Sequence, residues 1–323
     1  MTRSIITGAN GFVGANLARR LLREGHEVHL LLRPGCDRWR VDDLRNDVTI
    51  HEVDLRDDLQ VSRAIEAIRP EIIFHLAAYG AYASQTDVPR MIQTNIIGTA
   101  NLLAAALKVG FASFVNTGTS SEYGFKSHGP AEDELIEPNS EYAVTKASAT
   151  LFCREVARKH KINLSTLRLY SVYGPYEEPT RLVPNLILHG IRGTLPPLAG
   201  PTVAHDFVYI DDVCDAYLLA AAKSSESFGE IYNVGTGRQT TLSEVVEIAR
   251  EVLDIPAEPQ WRSMPERDWD TEVWIANPRK VQTELGWSPQ HTFEQGFART
   301  VRWFEDNPSL RKLYEKSDRV EAI

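Results

Sequence analysis

Cysteine is scarce in this chain of 323 residues, as are excess basic charge and long apolar runs. The three cysteines, Cys36, Cys153 and Cys214, lack the spacing of metal ligands, which favours free thiols in a reducing cytoplasm and no metal site. The net charge of -9 argues against a nucleic-acid partner, because phosphates require a basic surface. No apolar run approaches the roughly 20 residues of a membrane span, and the first residues enter a strand pattern at once. We therefore expect a cytoplasmic protein without a signal peptide or membrane segment.

Strand and helix patterns alternate through the first half of the chain. The stretch SIITGANGFVGANLARRLLREGHEVHLLLR reads as strand, glycine turn, helix and strand. IIFHLAA is a near-continuous apolar run, typical of a parallel strand covered on both faces. Helical patterns follow around residues 91–109 and 142–160. This alternation predicts an α/β fold with a Rossmann-type, doubly wound parallel sheet, whose ligand lies at the carboxyl ends of the strands.

The sequence changes character after Gly174, where prolines crowd residues 175–201 and favour loops. Strand and helix patterns then return in HDFVYIDDVCDAYLLAA, and the remainder shows no clear alternation. We predict that residues 1–175 form a dinucleotide-binding domain, to which residues 204–234 return. Residues 176–203 and 235–323 would form a smaller, mixed C-terminal lobe.

A glycine-rich turn follows the first strand. Gly8, Gly11 and Gly14 are spaced G-x-x-G-x-x-G between a strand and a helix. Glycine allows backbone angles and close approaches that other residues do not. The N–H groups and dipole of the following helix favour a pyrophosphate. This context predicts a dinucleotide site.

The second strand, VHLLLRPG, lacks the acidic residue that commonly holds the adenosine ribose of NAD. Arg33 follows that position, and Arg38 and Arg40 come soon after. Because a guanidinium binds phosphate in a fork, we predict NADP(H), with NAD as the alternative. Asp54, at the end of VTIHEVDL, is a candidate partner for the adenine ring.

Tyr142 precedes Lys146 by four residues in SEYAVTK, so on a helix both side chains share one face. A nearby ammonium stabilises a phenolate, as does a positively charged nicotinamide, and both lower the tyrosine pKa towards neutral pH, where acid–base catalysis is most efficient. The stretch VNTGTSSEYG supplies hydroxyl groups at the end of another predicted strand. Together with the glycine turn, this pattern indicates catalysis of hydride transfer.

The motifs TGANGFVG, HLAA, NIIGT, TSSEYG, YAVTK, RLYSVYGP, DFVYIDDV, YNVGTG and LGWSP run almost end to end. Through them the chain resembles the extended short-chain dehydrogenases/reductases of the nucleotide-sugar branch. The resemblance implies a nicotinamide cofactor, a nucleoside-diphosphate sugar substrate bound by the C-terminal lobe, and a homodimer formed through the 91–109 and 142–160 helices. It implies that Thr119, Tyr142 and Lys146 are catalytic and that Asn95 orders the site.

The same resemblance narrows the reaction. Sugar-nucleotide 4,6-dehydratases carry an Asp-Glu pair after the catalytic threonine, where this chain has Ser120 and Ser121. Arg33 and a looser likeness to CDP-abequose synthase-type 4-ketoreductases favour an NADPH-dependent reductase of a nucleotide-linked 4-keto-6-deoxy sugar. The alternatives are an NAD-dependent nucleotide-sugar 4-epimerase that uses the same residues, and a non-catalytic dinucleotide sensor.

Two larger sets of residues follow from the motifs and the resemblance. The cofactor is expected to contact Gly8, Asn10, Gly11, Phe12, Val13, Gly14, Arg33, Asp54, Leu55, Leu76, Ala77, Ala78, Tyr142, Lys146 and Val172. The sugar nucleotide is expected to contact Tyr79, Thr119, Ser120, Ser121, Ser171, Arg181, Asn185, His205 and Arg267.

Overall fold

A computed structural model describes residues 1–82, 84–223, 227–264 and 271–320. At its centre lies a parallel sheet of seven strands in the order β3-β2-β1-β4-β5-β6-β10. These strands are β1 (Arg3–Thr7), β2 (Glu27–Leu32), β3 (Thr49–Glu52), β4 (Ile72–His75), β5 (Ser113–Thr119), β6 (Leu164–Leu169) and β10 (Glu230–Val234). The order reverses between β1 and β4, which is where a Rossmann fold opens a ligand crevice. The predicted fold class is confirmed.

Helices and four short strands complete the described structure. The short strands are β7 (Ser171–Tyr173), β8 (Ala204–His205), β9 (Phe207–Tyr209) and β11 (Thr240–Thr241). The α-helices are α1 (Phe12–Arg23), α2 (Asp58–Ile68), α3 (Val88–Ile92), α4 (Gly98–Val109), α5 (Glu141–His160), α6 (Leu182–Gly190), α7 (Ile210–Ala222), α8 (Leu242–Leu253), α9 (Arg279–Leu285), α10 (Phe293–Asp306) and α11 (Pro308–Val320).

The sheet is buried on both faces. Ile5 and Ile6 are adjacent on β1 and both fully buried, but they belong to different apolar cores. The core around Ile5 includes residues of α2, α4 and α5, whereas the core around Ile6 includes residues of α1, α7 and the later helices. Since successive strand residues point to opposite faces, continuous apolar strands are what this arrangement requires.

The helix expected over residues 91–109 is not one regular α-helix. Between α3 and α4, residues Gln93–Ile97 form a π-helical turn, in which the Gly98 N–H donates to the Gln93 carbonyl. Such turns accommodate one extra residue and are frequent at functional sites. Asn95 lies in this turn and is fully buried.

The later part of the chain is held to the sheet by two buried carboxylates. Asp206, between β8 and β9, accepts hydrogen bonds from the N–H groups of Thr236, Gly237 and Ala276 at 2.7, 2.8 and 3.0 Å. Asp212, on α7, accepts from the His291 N–H at 3.1 Å and pairs with its ring at 2.8 Å. These contacts explain the DFVYIDDV and YNVGTG motifs as joints between segments. β10 lies beside β6 in the main sheet, but the proposed domain boundaries stay predictions.

The three cysteines are free thiols, with Cys153 and Cys214 buried. Among the described residues, none of the helices has the length and apolar character that crossing a bilayer demands.

Candidate active site

The glycine turn brings the backbone of two strands together. Gly8 has a φ of +70°, and a side chain there would place its Cβ 2.7 Å from the Ala77 nitrogen and 2.8 Å from the Leu76 carbonyl carbon. At Gly14 a Cβ would lie 2.5 Å from the Gly8 oxygen. Gly11 precedes α1 and offers no side chain to cap its first N–H groups. The turn, Leu76 and Ala77 therefore form one close-packed cradle at the amino end of α1, where Phe12 and Val13 begin the helix.

The side expected to hold the adenosine carries charges that are partly satisfied within the protein. Asp54 binds Arg56 through both carboxylate oxygens, which lowers the pKa of Asp54. Arg38 pairs with Glu52, and the buried Arg40 pairs with Glu178 at 2.9 Å. Of the three arginines proposed for a 2′-phosphate, two are thus paired with carboxylates.

Arg33 is exposed just beyond β2, and its charge also lowers the pKa of Asp54. The remaining predicted cofactor residues surround the same edge. Asn10 donates to the Asp37 carbonyl at 3.2 Å, Leu55 is buried against Gly98, and Val172 lies in the middle of β7. Ala78 is exposed.

The candidate catalytic residues meet at the carboxyl end of β5. Ser140 caps α5 by accepting from the Ala143 N–H at 3.2 Å, which fixes the first turn that carries Tyr142. Lys146 lies one turn further and is 2 % exposed. Thr119 is the last residue of β5, and its hydroxyl is close enough to the Tyr142 hydroxyl to lower the pKa of that phenol. The structure thus brings Thr119, Tyr142 and Lys146 into one cluster, as expected, although their catalytic roles stay predictions.

The pKa values of this cluster depend on burial as well as on nearby charges. Burial raises the pKa of Tyr142 above that of a free phenol, and the negative charge of Glu122 raises it further. The opposing effects come from the Arg181 charge and the Thr119 hydrogen bond. Burial also lowers the pKa of Lys146. The positive charge that was expected to lower the tyrosine pKa is therefore less favoured. Both pKa shifts favour the uncharged forms of the phenol and the amine.

Asn95 orders the loop that follows β4. Its side-chain oxygen accepts from the Tyr79 N–H and its amide donates to the Tyr79 carbonyl, both at 2.8 Å. The same amide donates to the Thr145 hydroxyl at 2.9 Å, and Thr145 donates to the Tyr142 carbonyl at 2.9 Å. A short chain of hydrogen bonds therefore links the π-helical turn to the backbone of the candidate catalytic tyrosine.

His75, in the HLAA motif, is buried beneath this network. Its two ring nitrogens lie 2.7 Å from the Thr7 hydroxyl and 2.8 Å from the Thr99 hydroxyl. Burial, aided by the charge of Lys146, lowers the pKa of His75 to about 3. The ring is therefore neutral and holds β1, β4 and α4 together.

Some of the residues predicted for the sugar nucleotide lie near the Thr119–Tyr142–Lys146 cluster. Arg181 reaches it, because its guanidinium donates to the Ala81 carbonyl at 3.0 Å and its charge acts on Tyr142. Ser120 accepts from the Trp274 indole at 3.1 Å, and the Ser121 hydroxyl lies 3.3 Å from that of Thr119.

The other predicted substrate residues lie further along the chain. Ser171 begins β7, Asn185 lies on α6, and His205 lies in β8 with its ring against Phe207. Arg267 lies outside the described residues. Trp274 was not among the predicted residues, since no sequence signal distinguished it from other aromatic residues of the late region.

Glu122 and Arg168 were also missed, and they are the most buried charges near the site, with Glu122 fully buried and Arg168 1 % exposed. The Glu122 carboxylate accepts from the Thr119 N–H at 3.0 Å and from the Arg168 Nε at 2.8 Å. A signal for Glu122 was present, because Thr119 and Glu122 have the T-x-x-E spacing of a capping box, which the structure contains.

Comparison with known proteins agrees with this geometry. Residues 4–235 match the NAD dependent epimerase/dehydratase family. A UDP-glucose 4-epimerase from Mycolicibacterium smegmatis is 29 % identical, over 94 % of this chain and 99 % of that protein. The UDP-glucose 4-epimerase of Thermotoga maritima, solved with UDP-glucose, has a TM-score of 0.85 and 28 % identity over 95 % of this chain and 99 % of its own.

A second reaction is represented among the solved structures. The dTDP-glucose 4,6-dehydratase of Streptomyces venezuelae, solved with NAD and TYD bound, has a TM-score of 0.85 and 28 % identity over 97 % of this chain and all of its own. The family match covers well over half of the chain and contains seven of the nine motifs that indicated extended short-chain dehydrogenases/reductases. The chain belongs to the NAD dependent epimerase/dehydratase family.

Proposed function

We propose that the protein is an NAD-dependent 4-epimerase of a nucleoside-diphosphate sugar. The observation that carries this proposal is the cluster of Thr119, Tyr142 and Lys146, in which the two residues after Thr119 are Ser120 and Ser121. A 4,6-dehydratase needs a carboxylic acid and a carboxylate there, and serine supplies neither. Interconversion at C4 requires one acid–base group and a reversible hydride transfer, and these residues are sufficient for the proton steps.

The residues present fit NAD. The cradle at Gly8 and Gly14 leaves space only for backbone, and the uncapped amino end of α1 favours a pyrophosphate. Asp54 stands at the end of β3 where an adenosine can be reached. When bound, NAD would accept a hydride from the sugar and return it. The solved relative that holds NAD supports this cofactor.

The chain's own residues would handle the proton. Tyr142 would take the proton from the C4 hydroxyl as that carbon is oxidised, and return it to the same oxygen when the carbon is reduced on its opposite face. Thr119 would orient that oxygen through its hydroxyl. Lys146 would stabilise the phenolate, and the positive charge of bound NAD⁺ would offset the burial that raises the pKa of Tyr142. Arg181 would bind a diphosphate as a fork.

The first prediction concerns cofactor demand. Purified protein incubated with UDP-glucose or dTDP-glucose, without added cofactor, is expected to form the 4-epimer with no net change in reduced nicotinamide. The physical reason is that hydride leaves and returns within one turnover. Product is measured by chromatography of the released sugars, and bound NAD by its absorbance after the protein is denatured. Turnover that occurs only with added NADPH and a 4-keto sugar would contradict the epimerase.

That outcome would support the second candidate, an NADPH-dependent 4-ketoreductase. Arg33 favours it, because this exposed guanidinium follows a strand that ends without an acid. The pairing of Arg38 with Glu52 and of Arg40 with Glu178 reduces the support, since a 2′-phosphate would have to compete for both. We therefore place NAD before NADP.

We also propose that the protein is a homodimer. Large apolar side chains are exposed on one pair of neighbouring helical segments, and an exposed cluster of this kind marks an interface. They are Ile92, Ile97, Val144, Leu151 and Phe152. Residues 88–97 contact α5, so the cluster spans both segments that were predicted to form the dimer.

The second prediction tests this surface. Leu151→Asp is expected to weaken self-association at least about tenfold, because a charge would be buried at the interface. The molar mass in solution is measured by light scattering over a dilution series. Leu135→Asp is the matched control, since Leu135 is 74 % exposed and lies outside these helices. Equal molar masses for both variants and the wild type would argue that α5 is a free surface.

A further inference from the structure

We propose that Glu122 is a positioning residue whose carboxylate, held by Arg168, fixes Thr119 and brings a buried negative charge to the candidate catalytic cluster. This inference rests on the proposed function, in which Tyr142 moves the proton. It concerns a residue that the sugar and the cofactor need not touch.

The geometry of the Glu122 carboxylate is fully specified. One oxygen accepts from the Thr119 N–H and from the Thr150 hydroxyl, both at 3.0 Å. The other accepts from Arg168 Nε at 2.8 Å. Thr119 in return accepts from the Ser121 N–H, so the turn is closed in both directions. A shift of the carboxylate would therefore move the backbone of the threonine whose hydroxyl meets Tyr142.

Arg168, which pairs with Glu122, is also held by further contacts. Arg168, on β6, donates to the Glu132 carbonyl at 3.3 Å, and its guanidinium lies 4.4 Å from the Tyr123 ring centroid. Removing two charges from water is costly, and only good geometry with further hydrogen bonds offsets that cost. Both groups here have those further bonds.

The fold makes room for this pair. Gly118 precedes Thr119, and a Cβ at Gly118 would lie 2.7 Å from the Glu122 Oε1 and 3.1 Å from the Arg168 Cγ. Its φ is not in the left-handed region, so space rather than backbone conformation requires glycine at this position. A sequence that keeps glycine here can bring a buried carboxylate directly behind the reacting hydroxyls.

The charge of Glu122 shifts the pKa of both reactive groups in the same direction. Its negative charge raises the pKa of Tyr142 and the pKa of Lys146, and it is the first charged group acting on each. Tyr82 and Arg181 also face Tyr142, and the neighbouring Tyr217 is hydrogen-bonded to Thr117. Cys153 and the neutral His75 face Lys146. Removing Glu122 should therefore lower the pH at which either group loses its proton.

The experiment is a pH titration of three variants, each compared with the wild type as the NAD⁺ complex. Glu122→Gln keeps an oxygen that can accept from the Thr119 N–H but removes the charge. Glu122→Gln/Arg168→Met also removes the unpaired cation, which guards against misfolding. Thr150→Val is the matched control, because it removes one hydrogen bond to the same carboxylate and leaves its charge. Tyrosinate absorbance is recorded as the difference from the same protein carrying Tyr142→Phe, and the pH profile of kcat/KM is recorded beside it.

We expect the first proton loss and the acid limb of the profile to move down by about one pH unit in Glu122→Gln. The double variant should move in the same direction and Thr150→Val should not move. Lower activity with an unmoved titration in Glu122→Gln and in the double variant would overturn the proposal, because it would leave Glu122 a structural role only. The tyrosinate titration needs no sugar, so an absence of sugar turnover in the wild type would reject the proposed function without deciding this inference.

Discussion

Replacing Tyr142 by phenylalanine is expected to lower kcat on the order of 10³-fold, which is the usual contribution of a positioned acid–base group. Phenylalanine keeps the ring that packs at the start of α5 but cannot hold or return the proton. Binding of NAD should stay within about twofold, since the glycine cradle that would hold the pyrophosphate is untouched. Turnover is measured on the sugar that the wild type accepts, and NAD affinity by fluorescence titration.

The control for this variant is Tyr232→Phe. Tyr232, on β10, is fully buried, whereas Tyr142 is half-buried, and its hydroxyl contacts Lys223 and Glu284 at the β10 edge of the sheet. Its loss should leave kcat nearly unchanged. Full activity of Tyr142→Phe would show that the tyrosine is structural. A wild type that binds NAD but turns over none of the tested sugars would favour the non-catalytic sensor.

Gly8→Ala is expected to lower the free energy of unfolding by about 3 kcal/mol and to abolish NAD binding. Two costs combine in this variant. A φ of +70° is strained for alanine, and the new methyl group would lie within 3 Å of the Ala77 and Leu76 backbone. Since backbone cannot yield as a side chain can, the turn must open, and the pyrophosphate would lose its cradle. Urea unfolding and NAD titration measure the two effects.

Gly35→Ala separates these costs. Gly35 has a φ of +68°, nearly that of Gly8, but a Cβ there meets nothing within 4 Å. Only the conformational strain should remain, about 1 kcal/mol, with NAD binding retained. Equal losses of stability in the two variants would mean that the close approach at Gly8 contributes nothing.

Much of the fold could be predicted because the relevant signals are local. Apolar strands, the glycine spacing and the Tyr142–Lys146 interval each lie within a few residues. The partners of Arg38 and Arg40 could not be predicted, since Glu178 lies 138 residues beyond Arg40. Only the folded chain shows that these two arginines are already paired with carboxylates.

The candidate site was also only partly predictable from the sequence. The sequence identified the hydroxyl, phenol and ammonium groups, but their pKa values depend on burial, which no spacing reveals. Burial raised the pKa of Tyr142, where the spacing of Lys146 predicted a lower value. Glu122 could have been recognised from its spacing to Thr119, but its pairing with Arg168 depends on β5 and β6 lying side by side.

The π-helical turn at Gln93–Ile97 has a consequence for the geometry of this segment. Ile92 and Ile97 are five residues apart, more than one α-helical turn but about one π-helical turn, and both are exposed. The additional residue changes the rotation of the side chains about the helix axis. As a result, Ile92 and Ile97 both face outward while Asn95 faces the interior. Deleting one residue would restore regular α-helical phase and rotate either the two isoleucines or Asn95 out of place. A single additional residue therefore lets one segment serve both the proposed association surface and the candidate active site.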